Sequence, residues 1–240
     1  MKKIFTLFGS VLLSVSIFAL TPQAGDAWDA TTATLTINSD PGSDPYVSNT
    51  EIELLMVGAD VEKISAYAFA ECSNLQSIAF APSAQLDTIG ESAFYGTAVA
   101  TLMFPESITT LEASAFAYCA QLSSVVFPAS LQKIGSGAFE NCDNMESVTI
   151  HANALAEYDA YAFHDCDLLA HIYVPASSVA TYKANWPAYA DKIEAIQERP
   201  SGIEQTSVKP AAENRKLMQG GILLILRDDQ TYTLTGQALK

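Results

Sequence analysis

A chain of 240 residues with 49% hydrophobic content can form one elongated domain or two compact ones, and its apolar content excludes a disordered protein. Its formal net charge of −15, from 12 basic and 27 acidic residues, argues against nucleic acid as a partner. The charge is uneven: residues 25–198 hold 23 acids against Lys63, Lys133, Lys183 and Lys192, and all three arginines fall at Arg199, Arg215 and Arg227, so a boundary is expected near Arg199-Pro200-Ser201-Gly202.

The first element in chain order is a leader. Basic Met1-Lys2-Lys3 precedes an apolar stretch over residues 4–20, interrupted only by Thr, Gly and Ser, which is the pattern of a secretory signal peptide over residues 1–24. A membrane anchor would need basic flanks afterwards, whereas Asp26 and Asp29 follow. Cleavage falls after Ala24 or after Ala27, and with no cysteine before Cys72 an acylated lipobox is excluded. Removing residues 1–24 takes away two lysines and no acid, which leaves a net charge of −17. Residues 25–60 read as an N-terminal cap: residues 31–38 alternate like a strand, the Asp40-Pro41-Gly42 loop breaks them, and residues 51–57 resume an apolar run.

Over residues 61–175 the chain repeats. The dipeptide Ala-Phe occurs at Phe69, Phe94, Phe116, Phe139 and Phe163, with spacings of 25, 22, 23 and 24. Eight residues before each Phe stand Val61, Leu86, Ile108, Leu131 and Leu155, and five before stand Ile64, Ile89, Leu111, Ile134 and Tyr158. Downstream, with a one-residue correction in the second coil, Ile78, Leu102, Val125, Val148 and Ile172 align, followed by Phe80, Phe104, Phe127, Ile150 and Val174. Apolar spacings of two or three with Pro, Gly and Ser between them predict short strands and tight corners, with a single helical turn at each Ala-Phe. One coil has too few large side chains to offset the entropy of ordering it, so the coils must stack into a solenoid.

Cys72, Cys119, Cys142 and Cys166 each lie three residues after the repeat Phe, with Thr97 in the same column of the second coil. An inward ladder of free thiols follows, because parallel side chains on stacked coils hold their Cβ atoms too far apart for a disulfide. The alternative is one bridge, Cys119 to Cys142 or Cys142 to Cys166. A catalytic cysteine would need an exposed, electropositive setting beside a histidine, and neither is expected here. His151, His164 and His171 occupy different columns. Asp143 and Asp167 share one, near Asn141 and Asp165, so a calcium site is weighed against the simpler reading of solvated acids. No catalytic residue, metal ligand or cofactor is assigned, and the glycines at Gly90, Gly135, Gly220 and Gly221 match no phosphate-binding pattern.

Between the buried columns two others point outward. One reads Ala79, Met103, Val126, Thr149, Tyr173; its neighbour reads Ser77, Thr101, Ser124, Ser147, His171. Met103, Val126, Thr149, Tyr173, Ser124, Ser147 and His171 are the candidate binding residues, with Met103 and Tyr173 large enough to anchor a partner.

The run Leu131-x-x-Ile134-Gly135-x-x-Ala138-Phe139-x-x-Cys142-x-x-Met145-x-x-Val148-x-Ile150 closely resembles the BspA-like leucine-rich repeat of bacterial surface proteins. The resemblance implies a leucine-rich-repeat superhelix, mostly short β-strands, with five visible coils plus caps. It further implies an exported or surface-displayed interaction module, adhesive use included, whose partners are proteins of a host or a neighbouring bacterial surface; the periplasm is the alternative location. A structural spacer or surface-layer scaffold is the rival reading, and a secreted hydrolase lacks convergent catalytic groups.

Residues 176–198 are similar to the closing coil of that family: Ser177 or Ser178 can cap a short helix whose Val179, Tyr182 and Trp186 face the last coil. Residues 199–240 leave the repeat. A polar linker leads to two strands joined by the acidic Asp228-Asp229 turn, a β-hairpin tail that, with Lys240, partly resembles the end of a type IX secretion sorting domain. The alternative is a short hairpin docked on the solenoid.

Overall fold

A computed structural model of the chain describes residues 22–197, apart from 24 and 44, together with the strands of the tail. The expected leader lies outside the described residues except for Pro22 and Gln23, as does the linker at 199–214. No described helix is long and apolar enough to cross a membrane.

The chain opens with β1 (Ala27–Asp29), β2 (Thr34–Ile37) and β3 (Leu54–Val57). Each later coil adds a two-residue strand and a longer one. These are β4 (Lys63–Ile64) and β5 (Ser77–Phe80), β6 (Thr88–Ile89) and β7 (Thr101–Met103), β8 (Thr110–Leu111) and β9 (Ser124–Phe127), β10 (Lys133–Ile134) and β11 (Ser147–Ile150), β12 (Glu157–Tyr158) and β13 (His171–Val174). The helix α1 (Val179–Asn185) and β14 (Ile193–Ala195) follow.

The short strands form one continuous parallel sheet, β4-β6-β8-β10-β12. The longer ones form two, β1-β2-β3-β5 and β7-β9-β11-β13-β14, parallel except for β1, which lies antiparallel on β2 and covers that edge. The solenoid therefore starts earlier than the Ala-Phe register shows: β2 and β3 are rungs of the same strand column as β5. Tyr46 takes the place of the repeat Phe there, its ring stacked on Phe69 at 5.2 Å.

The core is the stack of coil interiors. Phe69, Phe94, Phe116, Phe139 and Phe163 are buried, with successive ring centroids 5.0–5.6 Å apart and interplanar angles of 3–16°. The spacing follows from coil stacking, and it converts one repeated residue into an uninterrupted aromatic column. At the C-terminal end Trp186 and Tyr189 meet Phe163 edge-on, so the column ends against rings in another orientation. Trp186 Nε1 donates to the Asp159 carbonyl at 3.0 Å and the Tyr182 hydroxyl to the Ala152 carbonyl at 3.0 Å, which ties α1 to the last coil. Neither Ser177 nor Ser178 caps that helix by a side-chain hydrogen bond; the Ser178 hydroxyl instead turns toward Asn153 Oδ1.

The Ala-Phe segments are not helical turns. The second residue before the Phe is left-handed in four coils (Tyr67, Ser92, Ser114, Gly137) and the second residue after it in all five (Glu71, Gly96, Tyr118, Asn141, Asp165), with φ between 52° and 68°. Placing left-handed residues on both sides of the Phe turns alternate N–H groups toward the next coil. Tyr67, Phe69 and Glu71 thus donate to the carbonyls of Glu91, Ala93 and Tyr95 at 2.9, 2.8 and 2.6 Å, and Phe94, Phe116 and Phe139 repeat the central bond. A helical turn would direct those donors along its own axis and leave the next coil unbonded.

The tail forms a four-stranded antiparallel sheet of β15 (Arg215–Gln219), β16 (Ile222–Arg227), β17 (Gln230–Thr233) and β18 (Ala238–Leu239), in that order. The expected hairpin is β16 with β17, and a strand on either side extends it, since an isolated hairpin is marginal in water.

Candidate interaction face

The register of the longer strands fixes what they display. Thr101, Ser124, Ser147 and His171 pair across β7, β9, β11 and β13, as do Met103, Val126, Thr149 and, from β11 to β13, Tyr173. In a strand the alternate residues face the other side, and there Val125, Val148 and Ile172 are buried. The candidate residues therefore lie together on one face. His171 stacks on Tyr173, with centroids 5.5 Å apart, and its Nδ1 lies 3.1 Å from Glu194 Oε1. Beside them Glu146, Ser147, Leu168 and Ala170 complete a shallow groove.

The face is interrupted between β5 and β7. Relative to the coil that follows, the chain is two residues longer between Phe80 and Leu86, and it is one residue shorter between Phe94 and Leu102 than in the other coils. Both length changes fall beside this pair of strands, and the ladder does not continue across it. Ile78 and Phe80 belong to the inward columns yet are only partly buried. Met103, on the other lip, is 73% exposed. An open groove lined by Ile78, Phe80, Pro82, Met103, Pro105 and Glu106, among others, occupies the gap.

Groups with catalytic potential are placed differently. All four cysteines are free and buried, and each thiol donates to a carbonyl of the preceding coil: Cys72 to Tyr46, Cys119 to Phe94, Cys142 to Phe116 and Cys166 to Phe139. Thr97 keeps the column polar where the cysteine is missing, its hydroxyl 3.3 Å from Cys119 Sγ. Burial pushes Cys72 and Cys119 up to about 11, so at neutral pH they are protonated and poor nucleophiles. His151, His164 and His171 remain in separate surroundings. Asp143 and Asp167, weighed for calcium, join no set of three close ligand groups among the described residues. Among the described residues the set that does come together is Glu140, His164 and Asp165, its ligand atoms within 4.8 Å of one another and its side chains partly or fully exposed. No buried side-chain nitrogen or oxygen among the described residues lacks a hydrogen-bond partner.

The chain matches a family model described as the BspA type leucine rich repeat region, in six copies over residues 44–170. Among solved structures it is similar to the pneumococcal vaccine antigen PcpA, with a TM-score of 0.58 and 18% identity over 71% of this chain and 42% of that one. It is also similar to a leucine-rich-repeat protein of T. pallidum, with a TM-score of 0.46 and 20% identity over 65% of this chain and 85% of that one. No curated protein matches.

Proposed function

Since the chain belongs to the BspA-type leucine-rich-repeat family, we propose that it is an exported, surface-displayed protein-interaction module without catalytic activity, used adhesively through its strand face. The observation that carries this reading is Met103. A large apolar side chain 73% in water, beside a gap where Ile78 and Phe80 are also part-exposed, is surface that a partner's burial would make favourable. Val126, Thr149, Ser124 and Ser147 supply a low, hydroxyl-bearing floor, and Tyr173 with His171 forms a second aromatic anchor along the same columns. The partners on this reading are proteins of a host or a neighbouring bacterial surface. The apolar leader supports export, and the tail is read as its sorting element.

The test is the Met103→Ser, Tyr173→Ser double variant, assayed for binding to cells and to immobilised matrix proteins. Loss of at least tenfold in binding, with an unchanged circular dichroism spectrum and unfolding midpoint, is the expected result. Undiminished binding by the folded variant would favour a spacer or surface-layer scaffold. Residues 201–240 fused behind a leader and a reporter test the sorting element: surface display supports it, and periplasmic retention overturns it.

A further inference from the structure

The edge that carries the repeat Phe turns has surface chemistry unlike the strand face. In the first four of these coils the second residue after the Phe donates its N–H to the carbonyl of the first residue after the Phe in the next coil. This register sets Glu71 beside Tyr95 and Tyr118 beside Glu140, while the Gly96 bond to Ala117 sets Tyr95 beside Tyr118. The two tyrosine rings lie 5.0 Å apart at 43°. The Tyr95 hydroxyl is raised above its ordinary value by partial desolvation, then by Tyr118, Glu71 and Glu140, which places both carboxylates within electrostatic reach of the ring pair. The pattern continues outward on both sides. The Tyr67 hydroxyl donates to Glu91 Oε1 at 3.1 Å, and Tyr161 meets the His164 ring edge-on at 5.7 Å.

The fold alone does not require these rings. Tyr118 is 48% exposed and sits at φ 60°, where Gly96, Asn141 and Asp165 occupy the equivalent positions of other coils. A bulky side chain at positive φ is strained where glycine is not. Tyr67 repeats the feature at φ 58° and 42% exposure. The carboxylates are also uncommitted to a fixed cation: Glu71 accepts from Ser48, Glu140 faces His164, and among the described residues Lys133 is the one lysine in an ion pair, with Glu112 and Glu157.

We propose that the ridge formed by Tyr95 and Tyr118 between Glu71 and Glu140 docks a basic polypeptide segment, with an arginine side chain lying on the tyrosine rings and its guanidinium shared with the flanking carboxylates. Arginine fits better than lysine because its planar, weakly hydrated head both stacks on an aromatic face and forks to a carboxylate. Coils stack about 4.8 Å apart, so the three steps from Glu71 to Glu140 span roughly 14 Å, the length of about four extended residues. The net charge of −15 favours approach of such a segment from a distance.

The experiment uses the full chain with fluorescein-labelled hexa-arginine and hexa-lysine, read by anisotropy in the presence of EDTA so that no divalent ion engages Glu140, His164 and Asp165. Hexa-arginine is expected to bind several-fold tighter than hexa-lysine. Tyr118→Gly, which restores the residue type of Gly96 and relieves the backbone, is expected to weaken hexa-arginine about tenfold, as is Glu71→Gln with Glu140→Gln. Tyr118→Asn, which copies the residue type of Asn141, serves if the glycine variant unfolds. Asp60→Asn with Asp191→Asn removes the same charge from exposed sites off the ridge and should change binding less than about twofold. The proposal is overturned if the tyrosine variants bind like wild type, if the two acid pairs have equal effects, or if both peptides bind alike, since each outcome reduces the attraction to net charge.

Discussion

Two stretches of the same strand column behave differently. From β9 to β13 the coil length changes by a single residue, from 23 to 24, the ladder is unbroken, and Val125, Phe127, Val148, Ile150, Ile172 and Val174 are buried. Between β5 and β7 two length changes meet, the ladder stops, and Ile78 and Phe80, from the same two columns, are left part-exposed. The aromatic column and the sheet of two-residue strands run past that point without interruption, through Phe69, Phe94 and Phe116 and through β4, β6 and β8. The contrast shows which sides of the coil hold the solenoid together. The Phe turns and the short strands carry the stack past the break, and the strand face absorbs the change in coil length there.

Removing a ring from the uninterrupted side tests that contrast most severely. Phe116 is fully buried, stacked on Phe94 and Phe139 and met edge-on by Phe104. Phe116→Ala should cost about 3–5 kcal/mol, seen as a lower denaturant midpoint. The thiol ladder comes next. The fold keeps Cys72 and Cys119 protonated, with values raised from the ordinary 9.0 to about 11 by burial, so their contribution is complete below about pH 9 and is lost as pH rises toward 11. The loss is on the order of 2–3 kcal/mol per thiol. Denaturant midpoints measured across that window should fall, and they should fall less in Cys72→Ala with Cys119→Ala, which separates the thiols from the similarly raised Tyr46 and Tyr182.

Close approach of coils at the short strands gives a smaller effect. A Cβ on Gly135 would lie 2.6 Å from the Ala113 nitrogen, and one on Gly90 would lie 2.6 Å from the Ala66 nitrogen. Both obstacles are backbone, so Gly135→Ala should cost about 1–3 kcal/mol, checked by thermal unfolding.

Much of this architecture is legible in the residue order, because one coil after another writes the same apolar positions. The inward columns, the cysteine ladder and the outward strand residues all follow from counting away from the Ala-Phe dipeptide. The count fails where chemistry replaces that dipeptide. Tyr46 does the work of a Phe without an Ala before it, so the rungs β2 and β3 read as a cap. The turn conformation is hidden for a related reason: Tyr67, Ser92, Glu71 and Tyr118 occupy left-handed positions that glycine would have announced. The turn ridge escapes notice because Tyr95 and Tyr118 stand at different offsets from their Phe residues, and only the coil-to-coil hydrogen bonds bring them side by side. The break after β5 does leave a trace, in the spacings of 25 and 22, but which strand pair they separate depends on where the added and missing residues fall.

Phe80→Ala closes the comparison because it probes the same residue type at the broken part of the wall. Phe80 lies 6.2 Å from Phe104 in a tilted arrangement, and part of its ring already meets water, so less apolar surface is re-exposed by truncation and little cavity is left. The expected cost is about 1–2 kcal/mol, well under that of Phe116→Ala. If the two substitutions lower the unfolding midpoint equally, the strand column is closed in solution and Met103 loses the apolar lip opposite it. If Phe80→Ala leaves stability nearly unchanged and weakens binding to the partner that the Met103→Ser, Tyr173→Ser variant loses, the gap is part of the interaction face, and the length changes that opened it are what shaped the site.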